Sequence, residues 1–179
     1  MKRNLYNILI FIFLIAPVIA NAQSREIDKI FGKFSGKEGI TTVVINEDMF
    51  RMASDMFEEG TEKSVIEGIK GLRILEYKYE QDMRPAKSFY DEIVGTIPLH
   101  HYQELLNVQK ENEKVKILIK KQGERIKELL LLSYEDDKVI LINIFGDLDL
   151  QKVLEMSRKM KIKNLEELEK LEDAPEKGK

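Results

Sequence analysis

Hydrophobic positions along the chain alternate between helical spacing and strand-like runs, and each change marks a different kind of element. From Arg25 to Phe34 the apolar residues Ile27, Ile30, Phe31 and Phe34 recur at helical spacing, and Gly36 with Gly39 closes the run. This predicts a short helix packed on a sheet. The next stretch, Gly39 to Ile45 (GITTVVI), is β-branched and bounded by Gly and Asn46, the composition of a strand. Met49, Phe50, Met52, Ala53, Met56 and Phe57 then form a methionine-rich helical stripe that Gly60 breaks. A further helix is expected over Thr61 to Lys70, with Val65, Ile66 and Ile69 inward and Gly71 ending it. Leu72 to Tyr79 (LRILEYKY) reads as a second strand.

Pro85 sits where a helix can begin, at a first-turn position that needs no N–H, and Phe89, Ile93, Val94 and Ile97 line one face of that helix. Pro98 interrupts it and is expected to open another, with Tyr102, Leu105, Leu106 and Val108 inward. The last third then turns to period two: Val115, Ile117 and Ile119 alternate with Lys116, Leu118 and Lys120. Gln122-Gly123 reads as a tight turn before Arg125 to Tyr134, and Glu135-Asp136-Asp137 as a second turn before Val139 to Phe145. Three strands joined by such short turns make an antiparallel meander. VILINIF is apolar on both faces and so belongs at the centre of the sheet. A final core helix is expected from about Leu150 to Met160, presenting Leu150, Val153, Leu154 and Ser157. The predicted fold class is α+β: an antiparallel or mixed sheet of about five strands, ending in the three-stranded meander, with helices mainly on one face.

The N-terminus changes the picture of where the chain resides. Lys2 and Arg3 precede the apolar run Leu5 to Ala16, and Ala20-Asn21-Ala22 forms a small-x-small site. These are the parts of a secretory signal peptide, with cleavage expected before Gln23. The run from Ile8 to Ile19 is about 12 residues, short of the roughly 20 needed to span a bilayer, so no integral membrane span is expected after processing. The expected organisation is a leader at 1–22, one domain at 23–160 and a charged helix or tail at 161–179, where Asn164 and Glu167 resemble a capping box. The expected route is the Sec pathway, and the destination periplasmic or secreted.

Removing 22 of 179 residues leaves 157, enough for one core. The leader carries two of the positive charges and no acid, so the net charge moves from −3 to −5. A mildly acidic chain with both signs interspersed lacks the electrostatic footprint of nucleic-acid binding. With Cys 0, neither disulfides nor thiol chemistry are available.

Two segments carry a family resemblance: IFGKFSGKEGITTVVINEDMF near the start, and ILIKKQGERIKELLLLSYEDDKVILINIFGDLDL near the end. The first holds a Phe-Ser-Gly-Lys-Glu-Gly corner from helix to strand, the second a Gly-Asp-Leu-Asp corner from strand to helix. Over roughly Lys29 to Ser157 the chain resembles the domain-of-unknown-function family 4252 of exported Bacteroidota proteins. The resemblance implies a small α+β domain and no particular reaction.

Candidate chemistry is sparse. His100 and His101 are adjacent, point about 100° apart on a helix, and have only Glu104 at helical spacing, so no third ligand completes a zinc site. The serines lack a Gly-x-Ser-x-Gly elbow, and Phe34 to Gly39 precedes a strand rather than opening a helix, which argues against a phosphate loop. No cofactor is expected. Met49, Met52 and Met56 are expected in the core, with an adaptable docking stripe as the alternative. In Gly146-Asp147-Leu148-Asp149, glycine is expected to free the strand's sharp exit, and Asp149, or else Asp147, to cap the following helix. The favoured function is an exported, non-enzymatic envelope protein that binds a partner protein or a small envelope ligand. The alternative is a hydrolase whose site is assembled from scattered acids such as Asp147 and Asp149.

Overall fold

The period-two run of the last third builds the middle of a single antiparallel sheet. A computed structural model describes residues 25–80, 84–149 and 151–152. In chain order the elements are α1 (Arg25–Phe34), β1 (Ile40–Asn46), α2 (Glu47–Ser54), α3 (Thr61–Gly68), β2 (Ile69–Lys78) and α4 (Ala86–Thr96), then a 3₁₀ turn (Leu99–His101), β3 (Gln103–Gln109), β4 (Glu113–Gln122), β5 (Arg125–Glu135) and β6 (Lys138–Leu148). The expected leader with Ala20, Ala22 and Gln23, nearly all of the expected helix 150–160, and the tail 161–179 lie outside the described residues. Among the described residues, no helix is long and apolar enough to cross a membrane.

The sheet has six strands in the order β1-β2-β6-β5-β4-β3, and every neighbouring pair is antiparallel. β6, which carries VILINIF, lies between β2 and β5, and its Val139 and Leu141 are fully buried. Gly123 (φ +60°) and Asp136 (φ +42°) take left-handed backbone in the two hairpin turns of the meander.

The sixth strand is β3, where a helix was expected. Its bulge between Glu104 and Leu106 breaks the alternation. Leu105 and Leu106 consequently pack toward the same apolar cluster although they are adjacent, a spacing that imitates the i, i+3, i+4 pattern of a helix. Pairing with β4, a tertiary contact, decides the outcome. Likewise α3 stops at Gly68 rather than Lys70, because Ile69 already pairs with Gly146 and the chain passes straight into β2.

Helices α1 and α4 cover one face. Ile27, Ile30, Phe31 and Phe34 of α1 and Ala86, Phe89, Tyr90 and Ile93 of α4 pack over Leu75, Tyr77, Leu130, Leu132 and Leu141. Phe89 is the pivot, meeting the Phe34 ring edge-on at 4.9 Å and the Tyr77 ring at 4.5 Å. Burying each such side chain contributes about 1.5–3 kcal/mol. The two eight-residue helices α2 and α3 sit over one end of the opposite face, where Phe50 and Val65 pack on Ile69, Ile119, Ile126, Leu129 and Leu148.

Candidate functional site

The aspartates of the Gly-Asp-Leu-Asp segment are both engaged. β6 runs on through Gly146 to Leu148, so the corner comes two residues after the glycine, and Gly146 serves a different purpose from the expected sharp exit. A Cβ there would lie 2.1 Å from the Gly68 carbonyl oxygen, so the glycine lets β6 approach the end of α3. Asp149 Oδ1 accepts from the backbone N–H groups of Gln151 (3.0 Å) and Lys152 (3.3 Å), the geometry of an N-cap. Asp147 faces two cations: Lys127 Nζ donates to its Oδ1 at 2.5 Å, and Arg125 lies 3.3 Å from its Oδ2 while donating to its carbonyl oxygen at 2.7 Å. The hydrogen bond from Lys127, with Arg125 beside it, holds the Asp147 carboxyl below the usual carboxylate range. Such a group stays ionised at neutral pH, whereas a general acid must carry a proton there.

The methionine stripe is a correction to the expectation of core packing. Asn46 caps α2 by accepting from the Met49 N–H at 3.2 Å, and this orientation turns Phe50 toward the sheet. Met49, Met52 and Met56 point outward, 57%, 65% and 85% exposed, and Phe57 is exposed beside them in sequence. β1, which leads into α2, is a sheet edge and exposes Val43 and Val44. Only eight residues of α2 form on the chain, so its single inward side is satisfied by Phe50, Ala53 and Ser54.

His100 and His101 occupy the exposed 3₁₀ turn with ring centroids 4.1 Å apart, and the Glu104 carboxylate pairs with Lys116 instead. Among the described residues, no three His, Asp or Glu side chains come together as a metal site. The Phe34 to Gly39 corner closes on itself: Lys37 donates to the Phe34 carbonyl and accepts from Ile40, with Gly36 and Gly39 at positive φ.

Sequence reasoning missed a buried polar chain beneath α1. Arg73, Glu128 and Asn143 are 9%, 1% and 0% exposed, on β2, β5 and β6. Asn143 Oδ1 accepts from Arg73 Nε (3.0 Å) and Nη2 (2.7 Å), and its Nδ2 donates to Glu128 Oε1 at 2.8 Å. Tyr102 donates to the other Glu128 oxygen at 2.8 Å, and Asp28 of α1 accepts from Arg73 Nη1 at 2.6 Å. Phe31 and Phe145 flank the guanidinium, with ring centroids 4.8 and 5.4 Å away. Cation and anion are thereby joined through one amide, which is how a buried charge is tolerated. The signal in the sequence was one polar residue among the apolar alternate positions that face α1 and α4 in each of three strands: Arg73 beside Leu75 and Tyr77, Glu128 beside Leu130 and Leu132, and Asn143 beside Val139 and Leu141. Nothing local, however, put the three in register.

At the outer edge of the same layer, Lys33, Lys37, Arg84, Glu92 and Tyr77 line an open cleft. Hydrogen bonds from Lys33 (2.5 Å) and from Arg84 hold Glu92 below the usual carboxylate range. Burial pushes the Tyr77 hydroxyl up; it donates to the Arg84 carbonyl at 2.5 Å.

Both corners and the six-stranded sheet fall within residues 34–156, the span matched by the family model described as Domain of unknown function (DUF4252). The chain belongs to the DUF4252 family. No curated protein matches it. The DUF4252 span takes in Arg73, Tyr102, Glu128 and Asn143 of the buried chain and the whole exposed methionine stripe, whereas Asp28 and most of α1 precede it.

Proposed function

We propose that this chain is an exported, non-enzymatic envelope protein that binds an apolar segment of a partner protein through α2 and edge strand β1. The observation that carries the reading is the outward display of Met49, Met52 and Met56. Unbranched, polarizable methionine side chains adapt to apolar partners of varied shape. Apolar side chains clustered on a surface are a recurrent mark of protein interaction sites. β1 is also the last strand on its side of the sheet among the described residues, an edge to which an extended segment can hydrogen-bond. The basic start, short apolar run and Ala20-Asn21-Ala22 support export, with the processed chain beginning at Gln23. The hydrolase alternative has less support, because Asp149 is used as a cap and Asp147 is held ionised by Lys127 and Arg125.

The test is affinity capture of the tagged processed protein from cell envelopes of its native host, with bound proteins identified by mass spectrometry. A partner retained by the parent and lost with Met52→Glu plus Met56→Glu, at unchanged melting temperature, supports the reading. Capture that survives both substitutions places the binding surface elsewhere.

A further inference from the structure

The sulfur atoms of the described residues are gathered in one place. The chain has Met 7, Cys 0 and Trp 0, so an oxidant meets thioethers but no thiol or indole. Met1, Met83, Met156 and Met160 lie outside the described residues, and the methionines within them are Met49, Met52 and Met56. At 57%, 65% and 85% exposure, these three are open to small molecules. Their i, i+3, i+7 spacing puts them on one side of α2 and of the turn after it, where the Met56 N–H still donates to the Ala53 carbonyl at 3.0 Å. Other residues hold the helix down. Phe50 packs on the Val65 and Leu129 cluster, and buried Ser54 donates its hydroxyl to the Arg51 carbonyl at 2.7 Å. The chemistry of the three sulfurs can therefore change without loosening the packing of α2.

We propose that Met49, Met52 and Met56 form an oxidation-sensitive apolar surface, which peroxide-class oxidants convert to methionine sulfoxides. With hydrogen peroxide, a lone pair of the thioether sulfur attacks one peroxide oxygen, so that the S–O bond forms as the O–O bond breaks. The other oxygen departs with both peroxide protons as water. Each sulfur gives up two electrons and the peroxide takes them. The product is a polar, chiral side chain in place of a flexible apolar one. Its oxygen accepts hydrogen bonds from water and resists burial against an apolar partner. Loss of the partner on oxidation rests on the docking function proposed above; the oxidation site itself does not.

The test treats the processed protein with hydrogen peroxide, both folded and in urea, and maps the added oxygen by peptide mass spectrometry. All three sulfurs should oxidise in the folded chain at rates within about fivefold of those in the unfolded chain, because no opening is needed to reach them. Slower oxidation than that overturns the proposal. Retention on a phenyl resin supplies the second measurement. Oxidation should shorten it at an unchanged melting temperature. The variant carrying Met49→Leu, Met52→Leu and Met56→Leu stays apolar at these positions and keeps the remaining thioethers, so its retention should not respond. Equal shortening in both proteins, or none in the parent, overturns the proposal. The docking function fails separately. A partner lost with Met52→Glu plus Met56→Glu but held equally by oxidised and untreated protein overturns this inference alone. If no partner is captured while oxidation still shortens retention in the parent only, the oxidation-sensitive surface stands and the docking function falls.

Discussion

Arg73 presents two of its N–H groups, Nε at 3.0 Å and Nη2 at 2.7 Å, to the single side-chain oxygen of Asn143, which is fully buried. The amide then turns its own N–H to Glu128, so one neutral side chain bridges a buried guanidinium and a buried carboxyl group whose other partners are Asp28 and Tyr102. Removing the middle of such a chain should cost more than removing an end. Asn143→Ala leaves both charges short of a partner and should lower unfolding free energy by about 3 kcal/mol or more, the scale for breaking a buried ionic arrangement. Asp28→Asn acts at the outer end, where the carboxylate side chain is 46% exposed, and should cost less than about 1 kcal/mol. Urea denaturation at neutral pH measures both. Similar costs for the two would mean that the amide does not hold the charges together.

The glycines give an internally controlled comparison. A Cβ on Gly146 meets the Gly68 carbonyl oxygen at 2.1 Å and one on Gly71 meets the Phe145 ring at 2.3 Å, whereas one on Gly32 has nothing within 4 Å. Gly146→Ala should destabilise by about 2 kcal/mol or more as overpacking against backbone. Gly32→Ala, inside α1, should stabilise by about 0.4–1 kcal/mol by restricting the unfolded chain. Thermal unfolding of the two variants should therefore shift in opposite directions.

How much of this was readable beforehand depended on where the deciding contact lies. Ile27, Ile30, Phe31 and Phe34 bury a single helical stripe, and VILINIF fills the centre of a sheet, so local spacing was enough for α1 and for β6. Leu105 and Leu106 were misleading because a bulge turns adjacent residues toward one cluster, which only the pairing with β4 reveals. Gly146 looked like a hinge, yet its need is spatial, the nearby backbone of Gly68. Arg73 and Asn143 stand 70 residues apart and meet only when β2 pairs with β6. The methionine stripe had the right period for a core helix, but period alone does not tell which side of an eight-residue helix meets the sheet.

That exposure separates two neighbours on α2. Met52→Lys should change stability by no more than about 0.5 kcal/mol, as for ordinary surface positions. Phe50→Ala removes a ring packed against the Val65 and Leu129 cluster and should cost about 2 kcal/mol, below the range for a fully buried phenylalanine. Chemical denaturation resolves the difference. A Met52→Lys penalty matching that of Phe50→Ala would put the methionine in the core after all.

Asp149 and Asp147 lie two residues apart and should respond differently to loss of charge. Asp149 acts through oxygen acceptors at a helix start, so Asp149→Ala should cost about 1 kcal/mol while Asp149→Asn retains most of the stability. Asp147 acts through charge. Lys127 and Arg125 lower its pKa, so the folded chain binds this proton more weakly than the unfolded chain does. The resulting stabilisation is present above the ordinary aspartate range, about pH 4, and fades as pH falls through the lower folded value. Lys127→Met should therefore destabilise the fold slightly at pH 7, by less than about 1 kcal/mol for so exposed a pair, which reads as a small drop in melting temperature. The gap should narrow steadily on acidification, and it should shrink at neutral pH in about 1 M salt, where the screening length falls to about 3 Å. A gap that keeps its size at every pH and salt concentration would mean that Lys127 contributes through the packing of its alkyl stem and not through its charge.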